Sequence, residues 1–149
     1  MLLTDDGESL YDSRVICEYL DSLHTGHHLF PAEPAARWRS LRLAALADGL
    51  MDAALLARYE RAVRPAALQW DDWANGQLGK IHRALAALDA QADHLQGPLD
   101  IGQIGVGCAL GYLDFRFADL PWRTEHAGLT AFFERIGERE SFRTSRPDL

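Results

Sequence analysis

The sequence predicts a mainly α-helical fold, a helical bundle preceded by a small β-β-α unit. Apolar residues recur at helical spacing over most of residues 34–139, whereas the first eleven residues read as two short strands around the turn signal at residues 5–7. A chain of 149 residues, 48% hydrophobic and 25% charged, buries about two thirds of its unfolded surface when it folds. We therefore expect one compact core that needs no disulfide to hold it.

The first 28 residues contain the predicted β-β-α unit. Residues 1–4 and 9–11 are expected to pair as a hairpin, and Asp12 and Ser13 offer N-cap oxygens to a helix over residues 13–23. Residues 24–34 contain glycine and two prolines without apolar periodicity, which is typical of a linker. We expect a boundary there, between a unit of residues 1–28 and an all-helical domain of residues 32–149.

Four helices are predicted in that domain. Their expected ranges are residues 34–64, 67–95, 100–117 and 126–139. The first helix ends before Pro65, because proline lacks the amide hydrogen and disfavours helix in the residue before it. The third begins at Asp100 with Gln103 three residues on, an acidic form of the capping box. It contains four glycines, each costing about 1 kcal/mol relative to alanine, which indicates close neighbours and a central position.

The helix predicted over residues 34–64 is apolar on two sides. One stripe, expected to face the core, contains Leu43, Leu46, Ala47, Leu50, Ala53, Ala54 and Ala57. The opposite face carries Asp48 and Asp52, one helical turn apart. Two carboxylates this close suit acid–base chemistry or a metal ion, but nothing else in the sequence supports a metal. We expect the pair to meet water or arginines at a cleft or subunit interface, or alternatively to line a ligand cleft.

Composition excludes several classes of partner. The net charge is -7, and no basic run is present that could follow the phosphates of a nucleic acid. Residues 99–113 form the longest weakly polar run, which is too short to span a membrane. No signal-peptide pattern opens the chain, so the cytoplasm is the expected compartment. Cys17 and Cys108 lie in apolar helical patterns, and we expect both thiols to be reduced and structural.

Few residues stand out for chemistry. Asp12 and Ser13 lie where a strand meets a helix start, a corner that can bind carboxylates or phosphates, although the local pattern alone favours a simple helix cap. His24, His27 and His28 are close in sequence, yet a flexible linker fixes no ligand geometry, so we expect no metal. No histidine–carboxylate pair can be placed beside a serine or cysteine. The sequence therefore yields no catalytic residue.

Several segments together resemble the glutathione transferases, in particular bacterial members of that superfamily. Residues 4–7, 10–16 and 18–20 look like the third and fourth strands and third helix of the family's thioredoxin-like domain. Residues 45–60, ALADGLMDAALLARYE, and residues 104–116, IGVGCALGYLDFR, look like its fourth and sixth helices. The resemblance implies the family's C-terminal helical bundle preceded by a ββα remnant of its thioredoxin-like domain.

The resemblance also assigns roles to residues. In the family an acid–serine pair before the third helix holds the γ-glutamyl end of glutathione, a role that Asp12 and Ser13 inherit. Asp100 and Gln103 correspond to the cap of the sixth helix. The residues that fall on the helix lining the second-substrate cleft and the dimer interface are Asp48, Met51, Asp52, Leu55 and Tyr59. The resemblance implies glutathione as co-substrate, a small electrophilic substrate and a homodimer.

One departure from the family concerns the beginning of the chain. Members start with a strand, a helix, a second strand, a second helix and a cis-proline, and Met1 stands where the residue after that proline is expected. The Ser, Cys or Tyr that activates the thiol would lie in the preceding segment. We therefore expect a glutathione transferase in the full-length form and leave the activity of this chain open. The alternatives are a non-catalytic helical module for binding or dimerisation, and a fragment or wrongly started chain.

Overall fold

The structure, a computed structural model, describes residues 1–147. It is mainly helical, with two short antiparallel strands, β1 (Leu2–Leu3) and β2 (Ser9–Leu10), in which Leu2 pairs with Leu10. The helices are α1 (Ser13–Ser22), α2 (Pro34–Arg58), α3 (Asp71–Asp89), α4 (Ile101–Arg116), α5 (Trp122–Glu125), α6 (Ala127–Gly137) and α7 (Glu140–Thr144). The predicted fold class, a helical bundle preceded by a β-β-α unit, is confirmed.

The long helix α2 ends earlier than predicted. A π-helical turn, Tyr59–Val63, follows it, and the next α-helix starts only at Asp71. We call the connection between α2 and α3, residues 59–70, the corner. The buried side chain of Glu60 stabilises it by accepting hydrogen bonds from the Trp70 main-chain nitrogen at 2.7 Å and from Arg64 Nε at 2.8 Å. The Glu60 carboxylate thus bonds one residue before Pro65 and one after it, which separates the end of α2 from the start of α3.

The C-terminal region contains more helices than predicted. The helix expected at residues 126–139 is α6, and the four-residue α5 and five-residue α7 flank it. Elements this short contain too few turns to produce a helical period in the sequence. The segment expected at residues 67–95 likewise divides into α3 and flanking 3-10 turns at Ala66–Leu68 and Ala92–Leu95.

The core lies around α4, as the glycine pattern indicated. Helix α4 packs against α2 and α6, and its Val106, Leu110 and Leu113 are fully buried. Gly102 lies directly against α2, because a β-carbon added there would be 2.5 Å from the Ser40 carbonyl oxygen. The expected core stripe of α2 is buried, with Leu46 only partly so. Within residues 1–147, no helix has the length and apolar character that a membrane span requires.

Candidate functional site

A cleft of about 480 Å³ opens between α1, α2 and α4. Ser13 and Cys17 line it from α1, Asp48 and Met51 from α2, and Cys108 from α4. These residues meet because α4 packs against α2, and α1 is joined to α2 by ion pairs. The cleft therefore combines an apolar floor with polar groups at the start of α1, which is the usual composition of a small-molecule site.

The start of α1 supplies the polar end of the cleft. Asp12 is the N-cap residue, and its Oδ1 accepts a hydrogen bond from the main-chain nitrogen of Arg14 at 3.1 Å. Ser13 is the first helical residue and is exposed, so its hydroxyl is available to a ligand. The positive end of the helix dipole and the amides of the first turn favour an anionic group at this position.

Two ion pairs join α1 to α2 beside the cleft. Arg14 Nε lies 2.8 Å from Asp48 Oδ2, and Arg37 pairs with Glu18 one turn further along α1. Asp48 thus meets an arginine, and that arginine directly follows Ser13 in the chain. The pair connects the start of α1 to α2 and leaves both a cationic and an anionic group at the cleft.

The other predicted residues of α2 lie outside the cleft. Asp52 is exposed, and Leu55 and Tyr59 are 41% and 54% exposed. They continue into a surface with further exposed large apolar side chains, which we call the corner surface: Leu55, Leu56, Tyr59, Val63, Leu68, Trp70 and Trp73. The structure therefore brings Asp48 and Met51 together with Ser13, and separates them from Asp52, Leu55 and Tyr59.

The two cysteines differ from the structural role expected of them. Both are free, but both are exposed on the wall of the cleft instead of being packed in the core. Helix α4 is apolar around most of its circumference, so the sequence did not distinguish the face of Cys108 from the core face. Apolar neighbours still surround that sulfur, and burial raises the pKa of the Cys108 thiol. A raised pKa lowers the thiolate fraction and hence the nucleophilicity near neutral pH.

Capping at α4 follows half of the expected pattern. Asp100 Oδ1 accepts from the Gln103 main-chain nitrogen at 2.8 Å. The Gln103 side chain donates instead to the Pro98 carbonyl oxygen at 2.9 Å, so it does not complete a reciprocal capping box. The glutamine side chain therefore acts as a donor to residue 98, and not as the acceptor for the Asp100 main-chain nitrogen that a capping box requires.

A polar cluster at the end of α1 was missed by sequence reasoning. Asp21 is only 7% exposed, and its carboxylate accepts from the main-chain nitrogens of Leu29 at 2.8 Å and Phe30 at 3.1 Å. His24 and His28 flank it, each with a ring nitrogen 3.5 Å from a carboxylate oxygen. Burial alone would raise the pKa of Asp21, but the two amide hydrogen bonds and the neighbouring histidines hold it below its ordinary value.

Comparison with known families matches both parts of this architecture. The glutathione S-transferase N-terminal domain model matches residues 2–28, and the glutathione S-transferase C-terminal domain model matches residues 71–135. The fold is thus that of a helical transferase domain joined to part of a thioredoxin-like unit. The chain belongs to the glutathione S-transferase superfamily.

Individual relatives are similar over nearly the whole chain. The GST-like protein YibF of Escherichia coli strain K12 is 35% identical over 99% of this chain and 74% of its own length. A glutathione transferase family member from Pseudomonas fluorescens Pf-5, solved with S-(propanoic acid)-glutathione, is 51% identical with a TM-score of 0.94, covering 99% of this chain and 76% of that one. A glutathione S-transferase from Methylobacillus flagellatus KT, solved with glutathione, is 37% identical with a TM-score of 0.92, covering 98% and 74%.

Proposed function

We propose that Asp12 and Ser13 bind the γ-glutamyl end of glutathione at the start of α1. The observation that carries the proposal is that Ser13, exposed at the N-terminus of α1 and directly after the N-cap residue Asp12, lines the cleft. The γ-glutamyl end carries one carboxylate and one ammonium group. The helix start and the hydroxyl suit the carboxylate, and the Asp12 side chain suits the ammonium.

The ion pair of Arg14 and Asp48 supports this assignment. It restrains the start of α1 beside the cleft, since Arg14 directly follows Ser13 and is paired across to α2. A site that is already ordered loses less entropy when a flexible peptide binds. Met51 and the apolar wall of α4 leave room beyond the peptide for a small second substrate.

We further propose that the function is glutathione transfer to small electrophiles, carried out in the context of a longer protein. The Pseudomonas fluorescens relative was solved both with glutathione and with an S-substituted glutathione, which is the kind of molecule that conjugation produces. Such catalysis requires the thiol to ionise near neutral pH. We assign no residue of this chain to that step and no metal cofactor.

Glutathione binding can be tested by calorimetric titration of the chain with glutathione. Replacement of the hydroxyl in Ser13→Ala is expected to weaken binding about 10-fold to 100-fold, because a hydrogen bond to a charged group contributes roughly 1.5–3 kcal/mol. Ser22→Ala, at the other end of the same helix, is the control and should bind as the unchanged chain does. Equal affinity of the Ser13→Ala variant and the unchanged chain would remove Ser13 from the site.

A second candidate function is a non-catalytic module for binding or dimerisation. It is supported by the corner surface, whose large apolar side chains are between 41% and 66% exposed, an unusual concentration for a monomer. We propose that this surface contributes to a homodimer. Sedimentation equilibrium of Trp70→Ser should show weaker association than the unchanged chain; an unchanged association constant would place the contact elsewhere.

The domain division and the compartment are also proposals. We propose that residues 1–28 belong to the glutathione-binding unit and residues 32–149 to the helical domain. Both described cysteines are free thiols, which suits the reducing cytoplasm. Limited proteolysis would test the division: if the two units are joined by an accessible linker, cleavage is expected first in the exposed residues 24–28, because the main chain at residues 29–30 is bonded to Asp21.

A further inference from the structure

We propose that Asp21, His24 and His28 form a binding site for a divalent ion of the zinc type. One ring nitrogen from each histidine and one carboxylate oxygen from Asp21 lie within 4.8 Å of one another. Two imidazoles and a carboxylate form a common set of three protein ligands for zinc, with water in the fourth position. None of the three residues lines the cleft, so the site is separate from the proposed glutathione site.

Each histidine has a ring nitrogen at a distance from the Asp21 carboxylate that approaches the spacing of ligand atoms in a tetrahedral site. His24 Nε2 is 3.5 Å from Asp21 Oδ1, and His28 Nδ1 is 3.5 Å from Asp21 Oδ2. Ligand atoms bound at zinc–ligand distances of 2.0–2.1 Å stand about 3.3 Å apart. The two imidazole rings are stacked with centroids 4.9 Å apart, and both side chains are 46% exposed. They can therefore rotate toward an ion without disturbing the core.

The surroundings of the cluster hold the carboxylate in place and bond His28 to the main chain. The Leu29 and Phe30 amides hold the Asp21 carboxylate in place, as outer hydrogen bonds do in known metal sites. His28 Nδ1 lies 2.9 Å from the Asp21 main-chain oxygen. Because a carbonyl oxygen only accepts, His28 carries its proton on Nδ1 in the metal-free protein; binding an ion through Nδ1 moves that proton to Nε2 and releases the Asp21 main-chain oxygen.

His24, like His28, has to change its tautomer to take part. Its Nδ1 accepts from the Gly26 main-chain nitrogen at 3.0 Å, so in the metal-free protein the proton lies on Nε2, which faces Asp21. Binding an ion through Nε2 moves that proton to Nδ1 and releases the Gly26 amide, which is exposed and can bond to water instead. This exchange limits the affinity to a moderate value, and acid weakens binding further because protons compete for the imidazole nitrogens.

An ion at this position would strengthen the connection between α1 and the bundle. The chain just after the cluster is already bonded to the start of α4, since the Ile101 main-chain nitrogen donates to the Leu29 oxygen at 2.9 Å and a ring nitrogen of His27 lies 2.6 Å from the Leu99 oxygen. An ion that binds only the folded chain raises its thermal midpoint. Occupancy of the site is therefore expected to stabilise the junction.

The test is calorimetric titration of the chelator-treated full chain with Zn²⁺, together with the visible spectrum of its Co²⁺ form. We expect one ion per chain, a four-coordinate Co²⁺ spectrum, and a loss of affinity of roughly tenfold or more in His24→Ala and in His28→Ala. His82→Ala, an exposed histidine on α3, is the control and should bind like the unchanged chain.

Other results would overturn the site. Zinc affinity that is unchanged in both variants would exclude these histidines as ligands, as would a loss of equal size in the control. His24→Gln and His28→Gln repeat the test with side chains that keep a hydrogen-bonding amide, and far-UV circular dichroism establishes that each variant is folded. A folded glutamine variant that keeps the full affinity also contradicts the proposal.

Discussion

Substitution of Gly102 by alanine should separate α2 from α4. A β-carbon on Gly102 would lie 2.5 Å from the Ser40 carbonyl oxygen and 2.9 Å from Leu43 Cβ, both far inside van der Waals contact. The Gly102 amide also donates to Ser40 Oγ at 3.0 Å, which fixes the distance between the two helices. The carbonyl is part of the α2 backbone and cannot rotate away, so relief requires the helices to move apart.

The expected cost can be worked from two opposing terms. Overpacking a well-packed core costs roughly 1–3 kcal/mol, and a backbone clash of this depth belongs at the upper end. Replacing glycine by alanine in a helix interior stabilises the helix by about 1 kcal/mol. The net loss for Gly102→Ala is thus about 2 kcal/mol, or roughly 4–8 °C in the thermal midpoint for a chain of this size.

Gly49→Ala is the matched control on the facing helix. A β-carbon at Gly49 meets nothing within 4 Å, so only the helix-propensity term remains and the free energy of unfolding should rise by about 1 kcal/mol. Urea denaturation followed by far-UV circular dichroism measures both changes. If Gly102→Ala is as stable as Gly49→Ala, the helices tolerate a larger separation than the structure indicates and the packing argument is refuted.

Three further predictions concern polar contacts. Asp100→Ala removes the cap of α4 and should lower the unfolding free energy by about 1 kcal/mol, whereas Asp100→Ser should recover most of it in the same denaturation assay. A double-mutant cycle on Arg14 and Asp48 should give a coupling below about 1 kcal/mol that shrinks with added salt, because Arg14 is largely exposed; a salt-independent coupling would contradict this. Asp21 has a lowered pKa when folded, so its stabilising effect is full above the unfolded pKa and is lost as the pH falls through the folded one. Acid titration of Asp21→Asn should accordingly show a smaller loss of stability below about pH 4 than the unchanged chain.

Sequence reasoning was most successful where the cause of structure is local. The N-caps at Asp12 and Asp100 are oxygens that bond amides two or three residues away, so the residue type and its place before an apolar run were sufficient to predict them. The buried stripe of α2 likewise follows from helical spacing alone. The failures were at helix ends, where the buried Glu60 and the short helices α5 and α7 depend on tertiary contacts that leave no period in the sequence.

The candidate site combines both kinds of information, which explains why only part of it could be predicted. Asp12 and Ser13 were predicted from a local pattern and a family resemblance. The contact of Arg14 with Asp48 could not be predicted, because it depends on where the fold places α1 relative to α2. Asp21 illustrates the same limit: on the sequence it is one acidic residue in a polar helix end, and only the fold of residues 24–30 buries it between two histidines and two main-chain amides. The burial of this carboxylate and its contacts depend on the tertiary fold, so they can be identified only when the fold is known.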